Sequence, residues 1–291
     1  GNVAIGISAV GYLTPFFPWL GSGAIPLFVG TVGLIWLTTL ANFGGPSITG
    51  KIGSITVWGV IIPVAGLSVI GWFWFDAAVL SAAWNPHQLP IGDAIAQSIP
   101  LTLWAFLGME SAAQNSDAVE DPKRNVPLAG LFGTLGAAVV YVLSTTVIQG
   151  IVPNAELANS TAPFAYVYAQ MFNPLVGNII MALAVMACVG SLLGWQFTLA
   201  QTAKITADQG MFPKLFSRVS AMNAPIIGMV VCGVLQTLMA LSTISPNASA
   251  QFSKLVSLAA VTNLIPYVTA LSGLLVIMYK AQVDIKIFRR N

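Results

Sequence analysis

Apolar residues run along this chain in long blocks that short polar loops separate. A helix that crosses a membrane needs about 20 mostly apolar residues, and eight blocks reach or approach that length. They cover residues 1–20, 26–42, 54–75, 94–112, 126–152, 175–200, 225–243 and 253–279. The second block is short, and polar residues interrupt the fourth. The pattern predicts an all-α integral membrane protein with eight transmembrane helices.

The basic residues alternate with the blocks. Ten of the 11 Lys and Arg residues follow the second, fourth, sixth and eighth blocks, with Lys254 as the exception. The other loops carry Asp76, Asp93 and Glu156. Because positively charged loops stay on the cytoplasmic side, we predict that the basic loops and both ends of this chain are cytoplasmic. The regular alternation also supports a count of eight spans.

The composition excludes a soluble protein, because only 7% of the residues are charged, 56% are hydrophobic and the mean hydropathy is +0.83. Soluble domains have about 25% charged residues. The net charge of +2 gives no reason to expect a nucleic-acid partner. Cys188 and Cys232 lie in apolar runs, so we expect buried free thiols. With one His and two Cys, and with no nucleophile–base pair or phosphate-binding loop, we expect no metal, no cofactor and no enzymatic activity.

Pro63, Pro100 and Pro266 fall well inside the blocks. A proline removes a backbone donor and kinks or breaks its helix, so we expect irregular helices there. Gly190 and Gly194, four residues apart, would let two helix backbones approach closely. These features suit a protein that changes conformation, although tolerated prolines in a static helix are the alternative.

A single glutamate lies in the fourth block, within the stretch TLWAFLGMESA. Helical spacing places Trp104, Leu107 and Gly108 on one face, and we predict a helix break at Leu107–Gly108. An ionisable group at membrane depth is costly and usually faces a water-filled cavity or a partner. Glu110 is therefore predicted to handle a cation or a proton. The alternative is a solvated residue near the cytoplasmic end of the helix.

The sixth block carries an aromatic and three hydroxyl side chains with helical spacing. They are Ser191, Trp195, Thr198 and Thr202. An indole face attracts ammonium groups, which favours a binding surface for a cation. The alternative is an ordinary core tryptophan whose neighbours hydrogen-bond to their own helix. Lys204 and Asp208 follow four residues apart and are predicted to form a surface pair.

Five stretches of the chain carry a resemblance to a known family. They are SITVWGVIIPVAGLSVIGWFWF, TLWAFLGMESA, EDPKRNVP, GSLLGWQFTLAQTAK and TISPN. They resemble the basic amino acid/polyamine antiporters of the amino acid–polyamine–organocation superfamily, and among these the bacterial putrescine–ornithine antiporters most. The resemblance covers essentially all of residues 1–280. The acidic-Pro-basic loop is shared across the superfamily, whereas the two tryptophan-containing stretches are specific to this branch.

The resemblance implies a fold of two inverted five-helix repeats around a site near the middle of the membrane, with broken helices at that site. Aligned with it, this chain is similar to spans three to ten of twelve, a single transporter domain (1–291) that is truncated at both ends. The opening at Gly1, within an apolar stretch, agrees with a fragment. The first helix, which carries a Gly-Ser-Gly backbone for the α-carboxylate of amino acid substrates, would then be outside it.

The resemblance also implies roles for individual residues. Trp104 resembles a substrate-stacking and gating tryptophan, Leu107 a neighbouring wall residue and Glu110 an essential carboxylate just beyond the break at Gly108. Trp195 resembles a second aromatic wall, and Asn2, whose amide can donate and accept, an asparagine near the distal cation. Lys204 matches a family lysine linked to transport.

Three functions follow as hypotheses. The first is an antiporter that exchanges putrescine for ornithine or a related basic amino acid in the bacterial inner membrane. The second is a membrane-embedded scaffold without transport activity, and the third is a proton-coupled amino acid symporter of the same fold. The expected partners are small cations and the lipid bilayer. A homodimer is left open, as are the exact diamine and the coupling to protons.

Overall fold

The computed structural model of the protein describes residues 1–108, 121–160, 162–242, 244 and 247–280. In these ranges the chain forms α-helices joined by turns and loops, with no β-strand. The helices there are α1 (Asn2–Leu13), α2 (Ala24–Asn42), α3 (Gly45–Thr56), α4 (Trp58–Ile70), α5 (Ala77–Ala83), α6 (Ile91–Phe106), α7 (Pro122–Ile151), α8 (Asn154–Asn159), α9 (Pro163–Met171), α10 (Pro174–Asp208), α11 (Ile226–Ser242) and α12 (Ala248–Lys280). Short 3₁₀ turns cover Pro18–Gly21, Gly71–Trp74 and Lys214–Ser217.

Each of the eight predicted blocks contains a helix, and the all-α class is confirmed. Within the described ranges, five segments are long and apolar enough to cross a membrane. They are Ala24–Asn42, Gly45–Trp74, Pro122–Ile151, Pro174–Asp208 and Ala250–Lys280. The remaining blocks form the shorter helices α1, α6 and α11. Length and composition therefore identify five spans directly and leave three of the eight predicted ones shorter than about 20 residues.

Helix α1 ends at Leu13, earlier than the end near residue 20 that its apolar block predicted. The hydroxyl of Thr14 donates to the Val10 carbonyl at 3.0 Å, and Pro15 follows without an N–H to continue the ladder. Pro18 then starts a 3₁₀ turn. Apolar residues continue past the end of the helix, which is why hydropathy alone placed the boundary too late.

No helix ends at the three prolines, which agrees with the alternative that they are tolerated. Helices α4, α6 and α12 continue across Pro63, Pro100 and Pro266. An interruption occurs instead at Val57, between α3 and α4. There the Thr56 hydroxyl donates to two carbonyls of its own helix, which competes with the main-chain amides for the same acceptors.

Helix α10 lies at the centre of the packing and contacts α1, α2, α3, α4, α9 and α11. A close approach occurs at Gly190, where a Cβ atom would overlap the Thr56 side chain. The prediction that glycines in this stretch allow close helix packing is thus confirmed at Gly190. Cys188 and Cys232 are free thiols, as predicted, but they are half-buried.

The main hydrophobic core joins α1, α2, α10, α11 and α12. Its fully buried side chains include Ile7, Ile35, Leu192 and Val256. By contrast, no residue is buried in the most apolar window of α7 or of α12. Outward-facing apolar side chains on these helices suit contact with lipid, because a bilayer is as apolar as leucine.

Candidate substrate site

The break predicted at Leu107–Gly108 is present, because α6 ends at Phe106. Leu107 is extended, with φ −64° and ψ 139°, and Gly108 has φ +100°. That backbone conformation favours glycine, which has no Cβ to clash. A helix that ends leaves its last carbonyl groups without partners in the next turn. Such groups are available to a ligand or a neighbouring side chain.

Helix α7 supports this helix end through Tyr141. The Tyr141 hydroxyl donates to the Ala105 carbonyl at 3.2 Å, so one freed acceptor of the last turn is used. The Tyr141 ring also meets Phe106 edge to face, with centroids 5.4 Å apart. Sequence analysis missed Tyr141. The available signal was a single phenol within the apolar run of α7, since a tyrosine hydroxyl in an apolar setting usually has a partner.

Trp104 lies in the last turn of α6 and is half-buried. Its ring meets Phe252 of α12 edge to face, with centroids 5.6 Å apart and an interplanar angle of 86°. The same ring packs against the core cluster that includes Val3 of α1 and Leu192 of α10. Trp104 therefore packs the end of α6 against α12 and this cluster. Between the described residues, no ring contact joins the two tryptophans.

The predicted stripe on α10 lines a pocket of about 230 Å³ formed by Ser191, Gly194, Trp195 and Thr198. This volume is below the roughly 300–1,000 Å³ of pockets for drug-sized ligands, and the depression is open and lined by α10 alone. Thr198 and Thr202 donate to carbonyls of their own helix, those of Gly194 and Thr198. The alternative interpretation is thus correct for these two hydroxyls. Trp195, the exposed Ser191 and Thr198 line the cavity.

Asn2 belongs to α1, which packs against α10 and α12. Its Nδ2 atom is buried and has no hydrogen-bond acceptor among the described residues. An unsatisfied buried donor costs about 1–3 kcal/mol. The first helix thus presents an amide donor at the core that also holds Trp104.

Glu110, the predicted carboxylate, lies outside the described residues. Leu107 and Gly108, which form the break, precede this glutamate by three and two positions in the sequence. The structure brings Trp104, Leu107 and Gly108 together at the end of α6. Trp195 lies on a separate face of α10.

Lys204 is far from the pocket. Its Nζ lies 2.6 Å from Asp208 Oδ2, and the two side chains are 24% and 45% exposed. The predicted surface pair is confirmed. Lys204 follows Trp195 by nine residues, which corresponds to roughly 14 Å along a helix. It therefore cannot touch a small ligand that rests on the Trp195 ring.

The whole chain matches a known family, since the family model for amino acid permeases covers residues 1–290. The chain belongs to the amino acid permease family. The chain is 58% identical, over 284 residues, to the putrescine transporter PotE of Escherichia coli K12 and 55% identical, over 279 residues, to that of Haemophilus influenzae. A cadaverine/lysine antiporter of E. coli K12 is 36% identical over 272 residues.

The chain spans less than two thirds of the length of these relatives. The matches cover 97%, 95% and 92% of this chain and 64%, 63% and 61% of the three relatives. Family membership and the apolar helices make it a multi-pass membrane protein of a transporter family with bacterial relatives. The family and the names of the relatives point to a transporter and away from an enzyme.

Proposed function

We propose that the permease acts as an antiporter, which exchanges a diamine such as putrescine for a basic amino acid such as ornithine by alternating access. The observation that carries the proposal is the pocket on α10, where the Trp195 indole and the Ser191 hydroxyl face the same small cavity. An indole face attracts an ammonium group and also packs along an aliphatic chain. A diamine has two ammonium groups and a short aliphatic chain between them.

The end of α6 provides the second part of the proposed site. Carbonyl groups in the last turn of α6 and the carboxylate of Glu110 would replace hydration that a dication loses at membrane depth. Irregular backbone is tolerated within a membrane where it lines a cavity. The relatives named for putrescine and for cadaverine and lysine favour cargo of this type.

The proposal includes an arrangement in the membrane. Residues 1–291 would form one transporter domain with eight spans, where α1, α6 and α11 cross together with the five longer segments. These spans would be part of two inverted repeats in the bacterial inner membrane, with the basic loops and both ends of this chain in the cytoplasm. A homodimer is compatible with the lipid-facing apolar surfaces.

Counterflow in proteoliposomes tests the function with the full gene product. We expect labelled putrescine to enter vesicles loaded with ornithine much faster than empty vesicles, and a panel of lysine, arginine and cadaverine inside would rank the exchange partners. Uptake that needs a proton gradient and no internal amino acid would favour the symporter instead. No uptake under either condition, with protein present in the membrane, would favour the scaffold.

A further inference from the structure

A glutamine side chain links three helices behind the pocket. Gln196 of α10 is only 1% exposed. Its Nε2 donates to the Ile35 carbonyl of α2 at 3.1 Å and to Oε1 of Gln236, on α11, at 3.2 Å. One amide group therefore bonds α10 to both α2 and α11. Polar side chains that bond across helices within a membrane give such contacts direction, which apolar packing lacks.

A second link holds α10 one turn earlier. Asn42, at the end of α2, donates through Nδ2 to the Leu193 carbonyl at 2.9 Å, and its Oδ1 accepts from the Thr49 hydroxyl at 2.8 Å. Helix α10 is thus attached to α2 at Leu193 and at Gln196. Two attachments spaced along one helix restrict both its shift along the axis and its rotation about the axis.

The rotation of α10 decides where the pocket wall points. Trp195 directly precedes Gln196, and successive residues of an α-helix are separated by 100°, since there are 3.6 residues per turn. The pocket residues Ser191, Trp195 and Thr198 therefore lie on one side of α10, while Gln196 faces α2 and α11. A turn of the helix about its axis would move the pocket face, together with the Trp195 ring, relative to the neighbouring helices.

The pair is poorly suited to stabilising the fold. Oε1 of Gln196 and Nε2 of Gln236 are both buried and have no hydrogen-bond partner among the described residues. Each unsatisfied atom carries a desolvation cost, and replacement of both partners by apolar groups of similar shape is often neutral or stabilising. A leucine at each position would fill similar space without unsatisfied atoms. The amides thus provide orientation at the expense of stability.

We propose that Gln196 is a positioning residue, whose bonds to Ile35 and Gln236 fix the rotation of α10 and so orient the Trp195 wall of the pocket. The consequence for transport rests on the proposed diamine exchange. The orientation of the pocket face does not rest on that exchange, and it can be measured without a transport assay.

The first test compares stability with transport. In Gln196→Leu/Gln236→Leu, we expect the thermal unfolding midpoint in detergent to stay unchanged or to rise. The KM for putrescine should rise about threefold or more, the factor that corresponds to a typical hydrogen bond between membrane helices, with a smaller change in the maximal rate. A wild-type KM, or a fall in the maximal rate alone, would overturn the proposal.

Thr237→Val is the matched control. It removes the acceptor of the Trp36 indole N–H, a 3.1 Å bond between α2 and α11 that leaves α10 untouched. We expect a wild-type KM in this variant, and an equal rise in both variants would show a general loosening of the helices. Gln236→Leu alone is measured as well, because it changes one residue only and keeps the bond from Gln196 to Ile35. The KM for putrescine should rise in Gln236→Leu too, by a smaller factor than in the double variant. If the double variant does not fold, a wild-type KM in Gln236→Leu overturns the proposal.

The second test needs no transport. Ser191→Cys, in a background where Cys188 and Cys232 are alanine, places a thiol on the pocket face. We expect the rate of maleimide labelling of this thiol to change about threefold with Gln196→Leu/Gln236→Leu, again the factor for one interhelical hydrogen bond, and to stay constant with Thr237→Val. Equal labelling rates in all variants would overturn the positioning role. If the wild-type protein does not transport putrescine but labelling changes, the proposed function fails and the positioning role stands.

Discussion

Trp195 presents its indole to the cavity on α10, whereas the Trp104 ring is partly covered by Phe252 and the core around α1. The two tryptophans therefore differ in what a substitution would remove. At position 195 the loss is a face that attracts a cation, and at position 104 it is also packing at the end of a helix. This difference separates binding from conformational effects at single residues.

We expect Trp195→Phe to reduce diamine exchange less than Trp195→Leu. Phenylalanine keeps an aromatic face, whereas leucine removes the whole cation–π attraction, worth about 0.5–2 kcal/mol. The measurement is the KM for putrescine in ornithine-loaded vesicles at matched protein levels. Equal KM values for the two variants would show that Trp195 provides only apolar surface.

Glu110→Gln should lower the rate of diamine exchange by about tenfold or more, since a hydrogen bond to a charged group contributes about 1.5–3 kcal/mol. The substitution keeps the shape of the side chain and removes its charge. Asp93→Asn, in the first turn of α6, removes a different carboxylate and should leave exchange near the wild-type rate. Wild-type exchange in Glu110→Gln would leave this glutamate as a solvated residue at a helix end.

At the scale of the helices, α10 combines close packing at one turn with open space at the next. Gly190 and Gly194, four residues apart on the same face, show this contrast directly. A Cβ at position 190 would overlap the Thr56 side chain, while a Cβ at position 194 would meet no atom of the described residues within 4 Å. The same substitution should thus have opposite effects on stability at the two positions.

We expect Gly190→Ala to lower the free energy of unfolding by about 1–3 kcal/mol, the usual cost of overpacking. Gly194→Ala should instead raise it by about 0.5–1 kcal/mol, because alanine favours helix over glycine, yet it should raise the KM because its methyl group enters the pocket. Thermal unfolding in detergent and putrescine exchange measure the two effects. A loss of stability in Gly194→Ala would show that this side of α10 is packed against a part of the protein outside the described residues.

Local chemistry predicted some of these features, and long-range packing decided the rest. The break at Leu107–Gly108 and the stripe through Ser191 and Trp195 follow from residue type and helical spacing, so they could be predicted from neighbours in the sequence. The contacts of Tyr141 with the end of α6 and of Gln196 with α2 join residues far apart in the chain. No periodic pattern reports such contacts.

The prolines also show that local sequence does not decide where a helix ends. Pro63, Pro100 and Pro266 each remove one backbone donor, yet their helices continue. In a membrane protein, neighbouring helices and side chains can satisfy the freed carbonyl. Whether a proline ends a helix therefore depends on its surroundings in the fold, which the local sequence does not contain.

On the scale of the whole molecule, charge separates the two ends of the long helices. The loop between α10 and α11 carries Lys214 and Arg218 and no acidic residue, while Glu156 lies in α8, after the opposite end of α7. Lysine and arginine near the ends of spans favour the cytoplasmic side. The two loops should therefore lie on opposite sides of the membrane.

Cysteine labelling in intact cells tests this orientation. With Cys188 and Cys232 replaced by alanine, we expect Lys214→Cys to resist a membrane-impermeant maleimide applied from outside and to react after the cells are opened. Glu156→Cys, also at an exposed position, is the matched control and should react in intact cells. The orientation matters for the proposed exchange. The end of α6 and the pocket on α10 would bind cargo from each side of the membrane in turn. This requires that the helices rearrange while the loops at their two ends stay on fixed sides. Labelling of Lys214→Cys from outside, with Glu156→Cys protected, would show that the topology is the opposite of the predicted one.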